Sequence, residues 1–268
     1  MMAATSRLSS ERVNARVYHS PKVLARYTDH TLAPVEAAAL LKHQPAFFNR
    51  DVLDIGIGTG RTTRYLAPLA RRYVGIDYSP VMVGYVAAVM PEIEVRQIDM
   101  CDPACFASDC FDFVFAPNNV IDAVSHEARL QALSNWHRLL RPDGMLVLTT
   151  HNRRFRAALR GPRLLGSLNP LTQAQHLARF ARSQLNYLRL ARQRCQTEEF
   201  ALLSDSGHDY SLLHYYIDLK AQCAQFARLG FRCQEVFNHL GRSVDSSEDT
   251  SESPSLLYIA RKASFAAT

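Results

Sequence analysis

Cys-x-x-Cys pairs, paired histidine spacings, internal repeats and long apolar runs are all missing from this 268-residue chain. Its six cysteines (Cys101, Cys105, Cys110, Cys195, Cys223, Cys233) are scattered. That argues against zinc or a disulfide framework and for free thiols in a reducing, cytoplasmic setting. The first residues contain no apolar signal region, and no uninterrupted apolar segment is long enough to cross a bilayer. Residues up to about Arg16 are polar and read as frayed. The formal net charge is only +6, which fits a soluble protein with some affinity for anions better than a nucleic-acid specialist. One absence is local and sharper. Residues 152–197 hold ten arginines and not a single Asp or Glu.

What is present is a substantial apolar fraction, 47% of residues, enough for a large core. Its focus is residues 51–63, where the apolar run 51–55 meets Gly56, Gly58 and Gly60 and a helical pattern follows. Strand, tight turn and helix N-terminus in that order build a nucleotide site at the end of an α/β strand. The spacing excludes two ligand classes. A dinucleotide fingerprint would put its third glycine at Arg61, and a phosphate-binding P-loop would need a lysine that the turn lacks.

Before this turn, residues 17–48 read as two helices forming a cap. After it, a helix over 62–71 leads to a second strand over 73–77, ending in Asp77. Ser79 and Pro80 open a helix over 81–90. A third strand, 93–98, ends at Asp99, and the nearly all-apolar 111–115 reads as a fourth strand buried on both faces. An amphipathic helix from Ser125, stopped by Pro142 and Gly144, precedes a fifth strand over 145–150. This alternation predicts a doubly wound, mostly parallel sheet. The acid-free stretch then breaks the rhythm, with helical spacing over 177–188 and arginines on the other side. The expected close is a strand over 208–217, a helix over 219–229 and strands over 231–237 and 256–261. The division that follows is a cap (17–48), a ligand-binding core (51–151), a basic helical lid (152–207) and a completion of the sheet (208–268).

The pattern Asp54-x-Gly56-x-Gly58-x-Gly60, with Asp77 and Asp99 ending the next two strands and Leu-Leu-Arg-Pro-Asp-Gly over 139–144, resembles class I S-adenosylmethionine-dependent methyltransferases. That family implies a Rossmann-like, seven-stranded sheet. It also implies S-adenosylmethionine as cofactor and S-adenosylhomocysteine as product. By resemblance, Gly56, Gly58 and Gly60 would wrap the methionine half, with Asp54 near its ammonium. Asp77 would take both ribose hydroxyls. Asp99 would accept from the adenine amine, while Met100 or Cys101 donates a backbone N–H to the ring. Tyr78 and Met82 join the cofactor contacts, and Pro117 and Asn118 would pass beneath the sulfonium. The stretches 116–122, 125–129 and 149–152 look like a bacterial subgroup acting on small molecules. That subgroup usually has Gly where Asn119 stands and Tyr where Ala123 stands, so the substrate does not transfer.

For an acceptor hydroxyl a general base helps, and neutral histidine is the usual choice. His151, ending the fifth strand, and His126, starting a helix, are the candidates. Tyr18, Tyr27, Asn119, Asp122, His208, Tyr210 and His214 are expected around the substrate or its lid. No carboxylate cluster suggests a metal. The arginines fit a lid with a basic face, recognition of an anionic substrate, or peripheral contact with an anionic membrane through 177–188. Two rival readings are an RNA or DNA methyltransferase and a non-catalytic S-adenosylmethionine-binding regulator. The first is opposed by sparse aromatics among the arginines.

Overall fold

A computed structural model describes Asn14, Leu24, Tyr27 and residues 30–263. Tyr18 and most of the first expected cap helix lie outside the described residues. The second cap helix is α1 (Pro34–Lys42). There follow β1 (Asp51–Ile55), α2 (Thr63–Leu66), β2 (Arg72–Asp77), α3 (Pro80–Val89), β3 (Val95–Gln97), β4 (Phe111–Ala116), α4 (His126–Leu139) and β5 (Leu140–Asn152). The helix expected over 62–71 is cut to one turn of α2 and a 3-10 turn, Ala67–Leu69. Pro68 is the cause, since it lacks an N–H and its ring crowds the preceding turn.

The second half comprises α5 (Pro170–Arg189), β6 (Cys195–Gln196), β7 (Phe200–Leu203), β8 (His214–Ile217), α6 (Leu219–Arg228), β9 (Phe231–Asn238), β10 (Ser243–Val244) and β11 (Ser255–Lys262). The main sheet order is β10-β9-β11-β5-β4-β1-β2-β3. Strands β1 to β5 pair in parallel, while β11 is antiparallel to both β5 and β9. Chain order reverses direction between β1 and β4, the switch point beside which α/β sheets bind ligands.

Seven of the eight strands read from the sequence become β1 to β5, β9 and β11, the body of the sheet; β8 keeps part of the eighth, and β6, β7 and β10 bring the total to eleven where the resemblance implied seven. The basic segment is therefore not simply a helical lid. Its end, β6 and β7, joins the sheet antiparallel through β8, which itself runs parallel to the last residues of β5. The strand expected over 208–217 is confined to β8. Gly207–Tyr210 instead forms a 3-10 turn, with His208, Asp209 and Tyr210 at φ 48°, 56° and 61°, a conformation no strand can hold.

Alternation along the strands fills both faces. Leu53, Ile55, Val74, Ile76 and Leu146 pack toward Trp136 of α4 and Phe226 of α6. Val52, Phe113, Phe115 and Val147 face Val35, Ala39 and Leu40 of α1. Arg61, at the position a dinucleotide fingerprint gives to glycine, pairs with the buried Glu36 of α1. That ion pair ties the cap to the glycine turn. No described helix is long and apolar enough to cross a membrane.

Candidate active site

Where β1, β2 and β3 end, the chain encloses a cavity of about 450 Å³. The glycine turn forms one wall, with Gly56 at φ 71° and Gly58 at φ 54°. The two serve different purposes. A Cβ on Gly56 would lie 2.2 Å from Val120 Cγ2, whereas one on Gly58 would meet nothing within 4 Å. Gly58 thus keeps its side of the cavity clear for a ligand to lie against backbone. Asp77 faces it and is braced, accepting from Gly58 N at 3.0 Å and from Ser79 N at 2.9 Å. Asp99 stands at the far end, accepting from Cys101 N at 2.8 Å. Ile76, Met82, Ile98 and Met100 supply apolar wall between these acids. An apolar slot with acceptor-only carboxylates at two points fits a ligand bearing a diol, an exocyclic amine and positive charge. S-adenosylmethionine has all three.

At the other end, β4 turns sharply. Asn118 and Asn119 follow one another at φ 52° and 57°, a left-handed conformation asparagine tolerates better than most residues. Asn119 N donates to Thr149 Oγ1 of β5 at 2.8 Å, and its side-chain amide nitrogen lies 3.3 Å from His151 Nε2. Behind Asn119, His151 Nδ1 is 2.7 Å from Asp122 Oδ2, which also accepts from His151 N at 2.6 Å. Asp122 Oδ1 accepts from Arg129 Nη1 and from Thr150 Oγ1, each at 2.6 Å. Arg129 is wholly buried: Nη2 and Nε donate to Gln222 and Gln225 of α6, and its guanidinium lies 4.4 Å from the Tyr215 ring centroid. Asp122 can only accept from the imidazole, so the neutral ring is the tautomer with its proton on Nδ1 and its lone pair on Nε2.

Of the residues singled out from sequence, Tyr27, Gly56, Gly58, Asp77, Tyr78, Met82, Asp99, Met100, Cys101, Pro117, Asn118 and Asn119 line the cavity. Others do not. Asp54 is fully buried beneath the turn, where Thr62 and Tyr73 hydroxyls donate to Oδ2 at 2.7 and 2.8 Å and Oδ1 has no partner. Burial, against those two hydrogen bonds, pushes its carboxyl up to about 7. Gly60 is a packing position, since a Cβ there would lie 2.3 Å from Met90 Cε. His126 stacks on Phe200 at 4.3 Å and contacts Tyr215 OH at 2.8 Å, and that burial lowers its basicity. It is held in an aromatic stack away from the cavity. Tyr210 packs edge-on to Tyr187 and donates to Arg160 O. His208 lies 3.4 Å from Tyr27 OH and so sits one residue behind the wall.

His214 is also outside the cavity, yet it joins the only donor cluster of metal-site type among the described residues, His151, Asp205 and His214, whose ligand atoms lie within 4.8 Å of one another. Sequence reading missed it because Asp205 falls in an unassigned loop. Asp205 and His214 already satisfy each other, and both His151 nitrogens have partners in Asp122 and Asn119. Asp205 Oδ2 meets His214 Nδ1 at 2.7 Å and accepts from Tyr216 OH at 2.6 Å. Burial would discharge His214, but the hydrogen bond and charge of Asp205 outweigh it and raise its pKa. The stacked ring of His151, 5.0 Å away, rests on this ion pair. Asn14 was missed too. Placed in a tail that reads as frayed, it lines the cavity and bridges two of its neighbours, donating to Ala123 O at 2.7 Å and Leu213 O at 2.9 Å. A lone polar residue in a polar tail carries no sequence signal.

Residues 52–144 match the family described as "Methyltransferase domain". A probable S-adenosylmethionine-dependent methyltransferase of Mycolicibacterium smegmatis is 33% identical over 104 residues, 39% of each chain. One from Mycobacterium tuberculosis is 29% identical over 143 residues, 50% of this chain and 51% of its own. The chain spans about half the length, or less, of the curated relatives it matches. Among solved structures, 1,6-didemethyltoxoflavin-N1-methyltransferase of Burkholderia thailandensis, with 1,6-didemethyltoxoflavin and S-adenosylhomocysteine bound, has a TM-score of 0.59 at 15% identity, covering 98% of this chain and 90% of that one. The CcbJ methyltransferase of Streptomyces caelestis gives 0.61 at 15%, covering 92% and 98%. The family match falls on the strands that build the cavity, residues 52–144, and the chain shares nearly end to end the fold of solved S-adenosylmethionine-dependent methyltransferases.

Proposed function

We propose that the chain methylates an oxygen or nitrogen of a small molecule, with His151 taking the acceptor's proton. The observation that carries this reading is one line of contacts: cavity wall, Asn119, His151 Nε2, then Nδ1 to Asp122 and Asp122 to Arg129. Asp122 holds the ring so that its lone pair points toward Asn119 and the cavity. An acceptor O–H that displaces the Asn119 amide would donate to that same lone pair. A positioned base of this kind contributes about 10²–10⁴-fold.

Cofactor binding would rest on Asp77 for the ribose, Asp99 and the 100–101 backbone for the adenine, and the Gly56 and Gly58 backbone for the methionine half. When bound, S-adenosylmethionine supplies an activated methyl group and leaves as S-adenosylhomocysteine. The protein's own share is alignment and a dry slot. A small acceptor is supported by the Burkholderia neighbour, which binds 1,6-didemethyltoxoflavin.

The test is incubation with methyl-labelled S-adenosylmethionine and fractionated bacterial extract. The label should enter small molecules. Label confined to RNA or DNA would overturn the substrate class. With an acceptor in hand, His151→Ala should cut kcat about 10²–10⁴-fold while calorimetry shows unchanged cofactor affinity. Full activity in that variant would remove His151 from the mechanism.

A further inference from the structure

The structure assigns a second surface to α5 and the loop before it: a peripheral docking face for an anionic lipid bilayer. Of the large apolar side chains left exposed, most fall within residues 159–188. Along α5, Leu171, Ala174, Ala178, Ala181, Leu185 and Leu188 are all exposed, at successive spacings of three, four, three, four and three. That spacing is one continuous stripe on a helix. It is not the side that holds the helix to the protein. The packed side carries Ser183, which is buried, and Phe180 and Tyr187, which are half-buried; Asn186 Nδ2 donates to Asp209 O at 2.9 Å. The helix is capped by Asn169, whose side chain accepts from Leu171 N and Thr172 N, so the stripe sits on an ordered element. Just upstream, Leu165 and Leu168 project from irregular backbone, Leu168 fully exposed.

Charge selects the occupant. The segment 152–197 contributes ten positive charges and no negative one, more than the net +6 of the whole chain, so the rest of the molecule is net acidic. On the helix, Arg189 and Arg182, the latter exposed although its Nη1 lies 3.9 Å from Asp209 Oδ2, stand at one edge of the stripe. Two copies meeting through this stripe would set these arginines against each other, with no acid in the segment to answer them. An anionic bilayer satisfies both features. Leucines enter the headgroup boundary while arginines reach the phosphates, as amphipathic interfacial helices do. The irregular leucine loop also fits a lipid boundary, where a helical partner would need regular spacing.

Flotation of the full chain tests this, with vesicles of equimolar phosphatidylcholine and phosphatidylglycerol against vesicles of phosphatidylcholine alone. The chain should float with the anionic vesicles only, and less as salt rises. Leu168→Ser with Leu171→Ser, both at open surface, should weaken vesicle binding at least tenfold, and so should Arg182→Gln with Arg189→Gln. Calorimetric affinity for S-adenosylmethionine should stay unchanged in both variants, which separates this surface from the cofactor site. Absence of flotation, or flotation indifferent to the leucine changes, would overturn the assignment. So would a dimer in sedimentation that the leucine changes dissolve, because the stripe would then belong to a second copy.

Discussion

Asp122 Oδ2 meets His151 Nδ1 at 2.7 Å while also accepting from the His151 backbone N–H at 2.6 Å. One carboxylate oxygen thus fixes both the strand end and the ring it carries. Asp122→Asn keeps the shape but can turn an N–H toward Nδ1, which favours the opposite tautomer and protonates Nε2. Turnover should fall about 10²–10⁴-fold, with cofactor affinity within about twofold, since Asp122 does not line the cavity. Matched losses of turnover and cofactor affinity would show that the change disturbs the fold instead.

Arg129 makes a separate claim about stability. It and Asp122 are both completely buried, and removing one partner of such a pair costs about 3–5 kcal/mol because the other charge is stranded. Arg129→Met should lower unfolding stability by that amount in urea titrations. Adding Asp122→Asn should restore part of the loss, as expected for two groups in direct contact. Additive losses in the double variant would refute the pairing.

The glycine-turn end of the cavity was legible in the sequence because it is written locally. A glycine turn, an acid at the end of the next strand and another after the strand beyond it each sit where a strand stops, so Gly58, Asp77 and Asp99 could be placed on the cavity wall by counting. Asp54 was misplaced because the pattern gives a residue's position but not which way its carboxyl turns. Alternation sends it inward to Thr62 and Tyr73. The acceptor end was only half legible. His151 and Asp122 were named one by one, but their pairing depends on β5 and the turn after β4 meeting in space. Asp205 and Asn14 reach their partners across loops and a tail with no periodicity to read. The strand expected at His208 failed because three successive positive-φ residues leave no trace in hydrophobic spacing.

Asp54 should leave a signature in the pH dependence of folding. Burial without a partner for Oδ1 raises its carboxyl to about 7, whereas in the unfolded chain it ionises near 3.9. Between about pH 4 and 7 the folded protein therefore holds a proton that the unfolded chain has released. Stability is lost as pH rises through that window, by at most roughly 1.4 kcal/mol per unit. Asp54→Asn removes the titration while preserving acceptors for Thr62 and Tyr73. Its urea midpoint should gain on the wild type steadily from pH 4 to 7. Parallel midpoint curves would show that Asp54 is ionised in the folded state.

The two cavity-wall glycines should separate binding from folding. Both have positive φ, so either alanine costs about 1–2 kcal/mol in backbone strain. Gly56→Ala adds a clash, its Cβ 2.2 Å from Val120 Cγ2. Valine is β-branched and has few rotamers to yield, so that variant should lose several kcal/mol beyond the strain, in the manner of overpacked cores. Gly58→Ala meets nothing within 4 Å. Its stability loss should stop near the strain alone, yet its methyl group occupies the space left for the ligand. S-adenosylmethionine affinity by calorimetry should fall at least tenfold in Gly58→Ala, with a cooperative unfolding transition retained. Unchanged affinity there would mean that no ligand lies against the Gly58 backbone, and the cofactor's placement in this cavity would have to be abandoned.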